Sequence, residues 1–184
     1  MIRQYLPNLI SLARIILVVP VVSALLTENF IVALVLFAIA GFSDALDGFL
    51  ARHYHWESRL GSILDPIGDK LLLMASFAAI TWLGLLPLWL LILVIARDII
   101  IVLGGLAYHY LIGPFKLTPF WSSKFNTAAQ VMLVLLVIVQ QQWFSESQQI
   151  VVIGIWLVTV SAIISGLQYI VVWGLRAWRQ IKNQ

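Results

Sequence analysis

A chain of 184 residues with 62% hydrophobic and only 10% charged side chains is no ordinary soluble domain, in which about a quarter of residues are charged. The absence of cysteine excludes disulfides, a thiol nucleophile and zinc–thiolate sites, and the repeated long apolar runs identify an integral membrane protein. The formal net charge of +3 would suggest nucleic acid in a soluble protein; here it reads as membrane orientation and anionic ligands, with no nucleic-acid partner.

The expected fold is all-α, with six transmembrane helices. The predicted spans are 8–26, 31–50, 62–83, 88–110, 123–141 and 150–173, each near the roughly 20 residues that cross a bilayer core. The connections are short, no internal repeat is present, and residues 1–184 read as a single membrane domain. The start has a basic residue before an apolar run, as a signal peptide does. Arg14 inside the run and the lack of a clear small-residue cleavage site argue for a retained first helix.

Basic residues orient the spans. Arg3, Arg52, Arg59, Lys116, Lys124, Arg176, Arg179 and Lys182 all flank one side of the six-span arrangement, and the loops 27–30, 85–87 and 142–149 on the other side contain no Lys or Arg. The positive-inside rule puts both termini on the cytoplasmic face, and a bacterial inner membrane is the expected location.

The first span carries Asn8 and Arg14. Arg14 either snorkels toward headgroups or faces the acidic segment that follows. That segment, 44–69, reads DALDGFLARHYHWESRLGSILDPIGD and joins the second span to the third. Asp44 and Asp47 are spaced i, i+3, and Asp65 and Asp69 i, i+4, so each pair shares a helix face. A charge inside a membrane costs roughly 2.5–3.5 kcal/mol even on lenient insertion scales. Four aspartates within 26 residues therefore require cations between them. A pair of divalent ions such as Mg²⁺ suits hard oxygen ligands and keeps positions open for phosphate. The plainer alternative is an ion-pair network with Arg14, Arg52 and Arg97, which does not explain why the acids concentrate on two adjoining helix ends. Gly48 permits close approach of a ligand or of a neighbouring helix. Arg52 offers a bidentate fork to phosphate or carboxylate. His53 and His55 are read as interfacial loop residues, His109 is unassigned, and Lys70 is read as a local ion pair or snorkel.

The fourth span holds Arg97 and Asp98 within apolar sequence, and an intramembrane arginine is a functional candidate by default. Asp98 could compensate a nearby charge, although neighbours along a helix do not face each other. The fifth span opens with SSKFNTAAQ, where Lys124, Thr127 and Gln130 are expected to share a face. The sixth ends in RAWRQIK, a basic and aromatic interface anchor.

The run Asp44, Asp47, Gly48, Ala51, Arg52, Gly61, Asp65, Asp69 fits the pattern DxxDGxxARx₈GxxxDxxxD without departure and resembles the signature of the CDP-alcohol phosphatidyltransferase family. The resemblance covers essentially the whole chain. It implies a six-helix membrane enzyme, usually a homodimer, that displaces CMP from a CDP-linked lipid with the hydroxyl of an alcohol. It also implies that Asp44, Asp47 and Asp65 are metal ligands for two Mg²⁺ or Mn²⁺ ions. Asp69 would be the catalytic base while touching the metal site, and Asp47, Gly48 and Arg52 would lie along the nucleotide.

The chemistry agrees with that implication. Attack on a diphosphate needs charge neutralisation, a stabilised leaving group and a deprotonated alcohol, which two metals about 3.5–4 Å apart and one carboxylate can supply. An anionic acceptor needs fixed cations, for which Arg97 and Lys124 are the candidates, with Arg14 third. VIARD and SSKFNTAAQ resemble the branch that makes phosphatidylglycerophosphate and cardiolipin. Asp98 and Asn126 stand where glycerol 3-phosphate enzymes commonly have Glu and a basic residue, which favours phosphatidylglycerol as acceptor with glycerol 3-phosphate as the alternative. An ion or proton transporter is the competing class, but the acids cluster at one face and spans five and six carry none to continue a path.

Overall fold

The computed structural model describes residues 6–54, 61–111, 120–143 and 149–182. It consists of six α-helices: α1 (Leu6–Leu26), α2 (Phe30–Tyr54), α3 (Gly61–Trp82), α4 (Leu88–Leu111), α5 (Trp121–Trp143) and α6 (Gln149–Lys182). No strand occurs among the described residues. Three stretches, Leu88–Ala107, Trp121–Trp143 and Gln149–Leu175, are long and apolar enough to cross a membrane, and Leu12–Leu26 and Phe30–Asp44 are shorter apolar stretches.

Two helix ends differ from expectation. α2 continues to Tyr54, so His53 lies on the helix rather than in a loop; Ala51 and Arg52 are good helix formers and extend it. α6 has 34 residues, about 51 Å at 1.5 Å per residue, and runs past the expected end at Trp173. Its last turns carry the basic residues Arg176, Arg179 and Lys182, and Arg and Lys are good helix formers that continue the helix instead of ending it.

The chain forms two compact units. The first contains α1, α2, α3 and the part of α5 from Val134; the second contains α4, the part of α5 up to Leu133, and α6.

In the first unit α1 packs against both α2 and α3. The buried stripe of α2 is Ala33, Phe37 and Ala40, and that of α3 is Leu73, Ser76 and Ile80. The first follows an i, i+4, i+7 rhythm and the second i, i+3, i+7, each marking one helix face. Alanines at such positions let helices approach closely, which matters where lipid provides no hydrophobic drive between helices. The connection from α1 to α2 reverses the chain in a few residues. Glu28 adopts φ 56°. Its N–H donates to the Leu25 carbonyl at 2.9 Å and the Asn29 N–H to the Ala24 carbonyl at 2.9 Å. This is the Schellman pattern, which satisfies the last carbonyls of a helix. Asn29 then starts α2, its Oδ1 accepting from the Val32 N–H at 3.4 Å. The same pattern ends α3. Gly84, at φ 74°, donates to Thr81 at 3.0 Å and Leu85 donates to Ile80 at 3.1 Å.

In the second unit α4 packs on α6. Their approach is so close that a Cβ on Gly104 would overlap the Trp173 ring. Leu90 and Val94 of α4 and Val158, Ala162 and Tyr169 of α6 form its buried interior. The start of α5 is tied to α6, with the Phe120 N–H donating to the Tyr169 hydroxyl at 3.3 Å and Ser122 Oγ donating to Gln168 Oε1 at 2.5 Å.

Candidate active site

The buried stripes of the first unit lead directly to its charged residues. On α2 the series 33, 37, 40 continues at i+11 to Asp44. On α3 the series 73, 76, 80 extends one turn back to Asp69. On α1, Arg14 shares a face with buried Val21 and Leu25. Helical periodicity therefore aims all three groups inward. Because α1 and α2 run in opposite directions, as do α2 and α3 across short connections, the three charges fall at the same end of the unit. Arg14 is 1% exposed, and its Nη1 lies 2.8 Å from Asp44 Oδ1 and 2.5 Å from Asp69 Oδ1. Both carboxylates are half-exposed, at 45%. One buried cation thus joins three helices, and of the two sequence readings for Arg14 this geometry is the one that faces the acidic segment.

Asp47 lies one turn beyond Asp44 on α2, with Gly48 and Arg52 following, and Asp65 lies one turn before Asp69 on α3. The side chains of these four and the surroundings of Gly48 lie outside the described residues, as does His55. Among the described residues no group of three or more His, Cys, Asp or Glu converges as a metal site. The two described carboxylates, from helices that flank α1, supply the hard oxygen donors that Mg²⁺ or Mn²⁺ prefers, and their shared contact with Arg14 brings them to one place.

The second unit is organised around its own arginine. Arg97, 5% exposed, lies on the α4 stripe with Leu90 and Val94. Its Nη1 donates to Asp98 Oδ1 at 2.7 Å, and its Nη2 donates to Ser123 Oγ and Ser165 Oγ, each at 2.6 Å. The side chain therefore links α4, α5 and α6. Adjacent residues do not face each other, but the long, flexible arginine stem curls back far enough for the guanidinium to meet its neighbour's carboxylate.

Sequence reasoning missed Ser123 and Ser165 as partners of Arg97. The available signal was the pair Ser161 and Ser165, spaced i, i+4 within an apolar helix. Ser161 Oγ donates to Asn126 Oδ1 at 2.9 Å. Gln130 departs from expectation. It is buried at 3% beside the α5 stripe that carries Asn126, while Lys124 and Thr127 are exposed. The six steps from residue 124 to 130 fall about 120° short of two full turns, enough rotation to divide the faces. Arg97 Nε, Asn126 Nδ2 and Gln130 Nε2 are buried donors without a hydrogen-bond partner. Lys124 Nζ sits 5.7 Å from the centre of the Trp121 ring, a cation–π distance.

Residues 4–167 match the model of the CDP-alcohol phosphatidyltransferase family, a match that runs through both units. A relative named cardiolipin synthase (CMP-forming) from Rattus norvegicus is 37% identical over 145 residues, 70% of this chain and 48% of the rat protein. A relative from Oryza sativa subsp. japonica, named CDP-diacylglycerol–glycerol-3-phosphate 3-phosphatidyltransferase 1, chloroplastic, is 33% identical over 196 residues, 96% of this chain and 58% of the rice protein. One of the latter activity from Aquifex aeolicus is 39% identical over 103 residues, 54% of this chain and 57% of that protein. The chain spans about half the length of the curated relatives it matches. With a family match across most of its length and the acidic signature on α2 and α3, this chain belongs to the CDP-alcohol phosphatidyltransferase family.

Proposed function

We propose that this protein transfers a phosphatidyl group from CDP-diacylglycerol to an alcohol and releases CMP, with phosphatidylglycerol as the acceptor. The observation that carries this reading is the convergence of Asp44 and Asp69, from two helices, on one buried cation. Such an arrangement assembles the hard oxygen donors that diphosphate chemistry requires. Asp44, Asp47, Asp65 and Asp69 would hold two divalent ions, which when bound neutralise the diphosphate and stabilise the departing CMP. Asp69 takes the proton of the acceptor hydroxyl. The acceptor oxygen bonds to the phosphorus of the phosphatidyl group, and the bond from that phosphorus to its bridging oxygen breaks, so that CMP leaves with the electron pair. Asp47, Gly48 and Arg52 lie along the nucleotide. The protein spans the membrane six times as a homodimer, with both termini and the acidic segment on the cytoplasmic side of a bacterial inner membrane.

A second acceptor, glycerol 3-phosphate, is favoured by the rice relative, whose similarity extends over 96% of this chain. CMP release from CDP-diacylglycerol in detergent, with either acceptor, separates the two. Release is expected with phosphatidylglycerol, to stop on chelation, and to return with Mg²⁺ or Mn²⁺. Release with glycerol 3-phosphate alone would transfer the assignment to the second acceptor, and metal-independent release would remove the ions from the mechanism.

For the acceptor phosphate we propose Lys124 as the principal cation, because it is exposed. Arg97 supports it by holding Ser123, the residue before it. A charge-assisted contact contributes about 1.5–3 kcal/mol, so Lys124→Ala should raise the acceptor KM roughly 10- to 100-fold at about 1.4 kcal/mol per decade. The KM for CDP-diacylglycerol should barely change. Saturation curves for both substrates test this, and equal damage to both would withdraw Lys124 from the acceptor.

A further inference from the structure

We propose that Arg14 is the built-in counter-cation of the acidic site and makes divalent-ion binding depend on CDP-lipid. This rests on the reading of Asp44 and Asp69 as metal-binding carboxylates. The guanidinium is 1% exposed and one of its nitrogens contacts Oδ1 of both carboxylates. Arg14 and a divalent ion therefore draw on the same two groups. An arginine keeps its charge at any physiological pH, so an ion ligated by Asp44 and Asp69 meets a fixed positive charge a few ångströms away. In partly buried surroundings that repulsion is far stronger than in water. The coupling is reciprocal. Whatever Arg14 contributes by neutralising the carboxylates is lost from the affinity of the competing ion.

The diphosphate of the CDP-lipid supplies the negative charge that offsets this repulsion. Ion and CDP-lipid then bind cooperatively, and the ions are retained chiefly when substrate is present. Arg14 is a positioning residue in this scheme and touches neither the reacting phosphorus nor the acceptor. Its burial on the Val21–Leu25 face of α1 keeps the charge in place, where a surface lysine would swing into water.

The test is Mn²⁺ binding to the purified full chain in detergent, measured by electron paramagnetic resonance of free Mn²⁺, with and without CDP-diacylglycerol. In the wild type, CDP-diacylglycerol should tighten Mn²⁺ binding about tenfold or more. Arg14→Gln should tighten Mn²⁺ binding by a similar factor without the lipid and shrink the further gain from it. Arg14→Lys keeps the charge and should stay close to the wild type. A purely structural Arg14 would alter the folded yield and leave the affinity of the folded fraction unchanged. Unchanged or weaker Mn²⁺ binding by folded Arg14→Gln overturns the proposal. If that variant does not fold, the wild type alone decides, since an affinity indifferent to CDP-diacylglycerol also overturns it. Should the wild type bind no Mn²⁺ at all, the metal reading of Asp44 and Asp69 falls as well, which separates that failure from a failure of Arg14's role.

Discussion

Asp69→Asn is expected to lower the rate of CMP release by at least 10²- to 10⁴-fold, the usual contribution of a positioned general base, while CDP-diacylglycerol still binds. The substitution is conservative where it matters for the fold. The asparagine carbonyl oxygen can still accept the hydrogen bond that Arg14 Nη1 gives to Asp69 Oδ1, so the tie between α1 and α3 survives. What is lost is the negative charge and the capacity to take a proton at neutral pH. Single-turnover rates alongside equilibrium binding of CDP-diacylglycerol distinguish the roles. Loss of turnover with intact binding marks a base. Loss of binding with no separate loss of turnover marks a ligand, and the base is then another group.

The second large effect falls on stability. Asp98→Ala is expected to cost about 3–5 kcal/mol, the range for removing one partner of a buried ion pair. Arg97 is 5% exposed and Asp98 12%, so neither charge is screened by bulk water. Without Asp98 the Arg97 guanidinium keeps the hydroxyls of Ser123 and Ser165, which are neutral acceptors and leave the charge uncompensated. At about 2–4 °C per kcal/mol for a chain of this size, the thermal unfolding midpoint in detergent should fall by roughly 10 °C. Asp98→Asn, which keeps an acceptor and removes the charge, should fall less. A midpoint equal to the wild type for Asp98→Ala would mean that the carboxylate is not the counter-ion Arg97 depends on.

The six helices were legible in the sequence because their signal is local. Apolar runs of about 20 residues and the short connections between them depend on neighbours a few positions away. The acidic segment was legible for the same reason. Asp44, Asp47, Asp65 and Asp69 carry their spacing along the chain, and spacing alone sets which of them share a helix face. Even the placement of Asp44 and Asp69 in line with the apolar stripes follows from the 3.6-residue period. The cations are a different matter. Arg14 is 55 residues from the Asp69 it meets, and Arg97 is 68 residues from Ser165. No periodicity reaches that far, so the sequence left Arg14 between snorkelling and facing the acids and grouped it with Arg97 and Lys124 as candidates for one ligand. Packing gave each its own surroundings. α1 lies against both α2 and α3, which puts Arg14 between their carboxylates. Arg97 is enclosed by Asp98, Ser123 and Ser165, and Lys124 stays exposed on the far side of α5 from Asn126. A charged side chain in an apolar chain must find a partner, and composition makes that demand plain. Which partner it finds depends on the helices that close around it, and that is decided only when they pack.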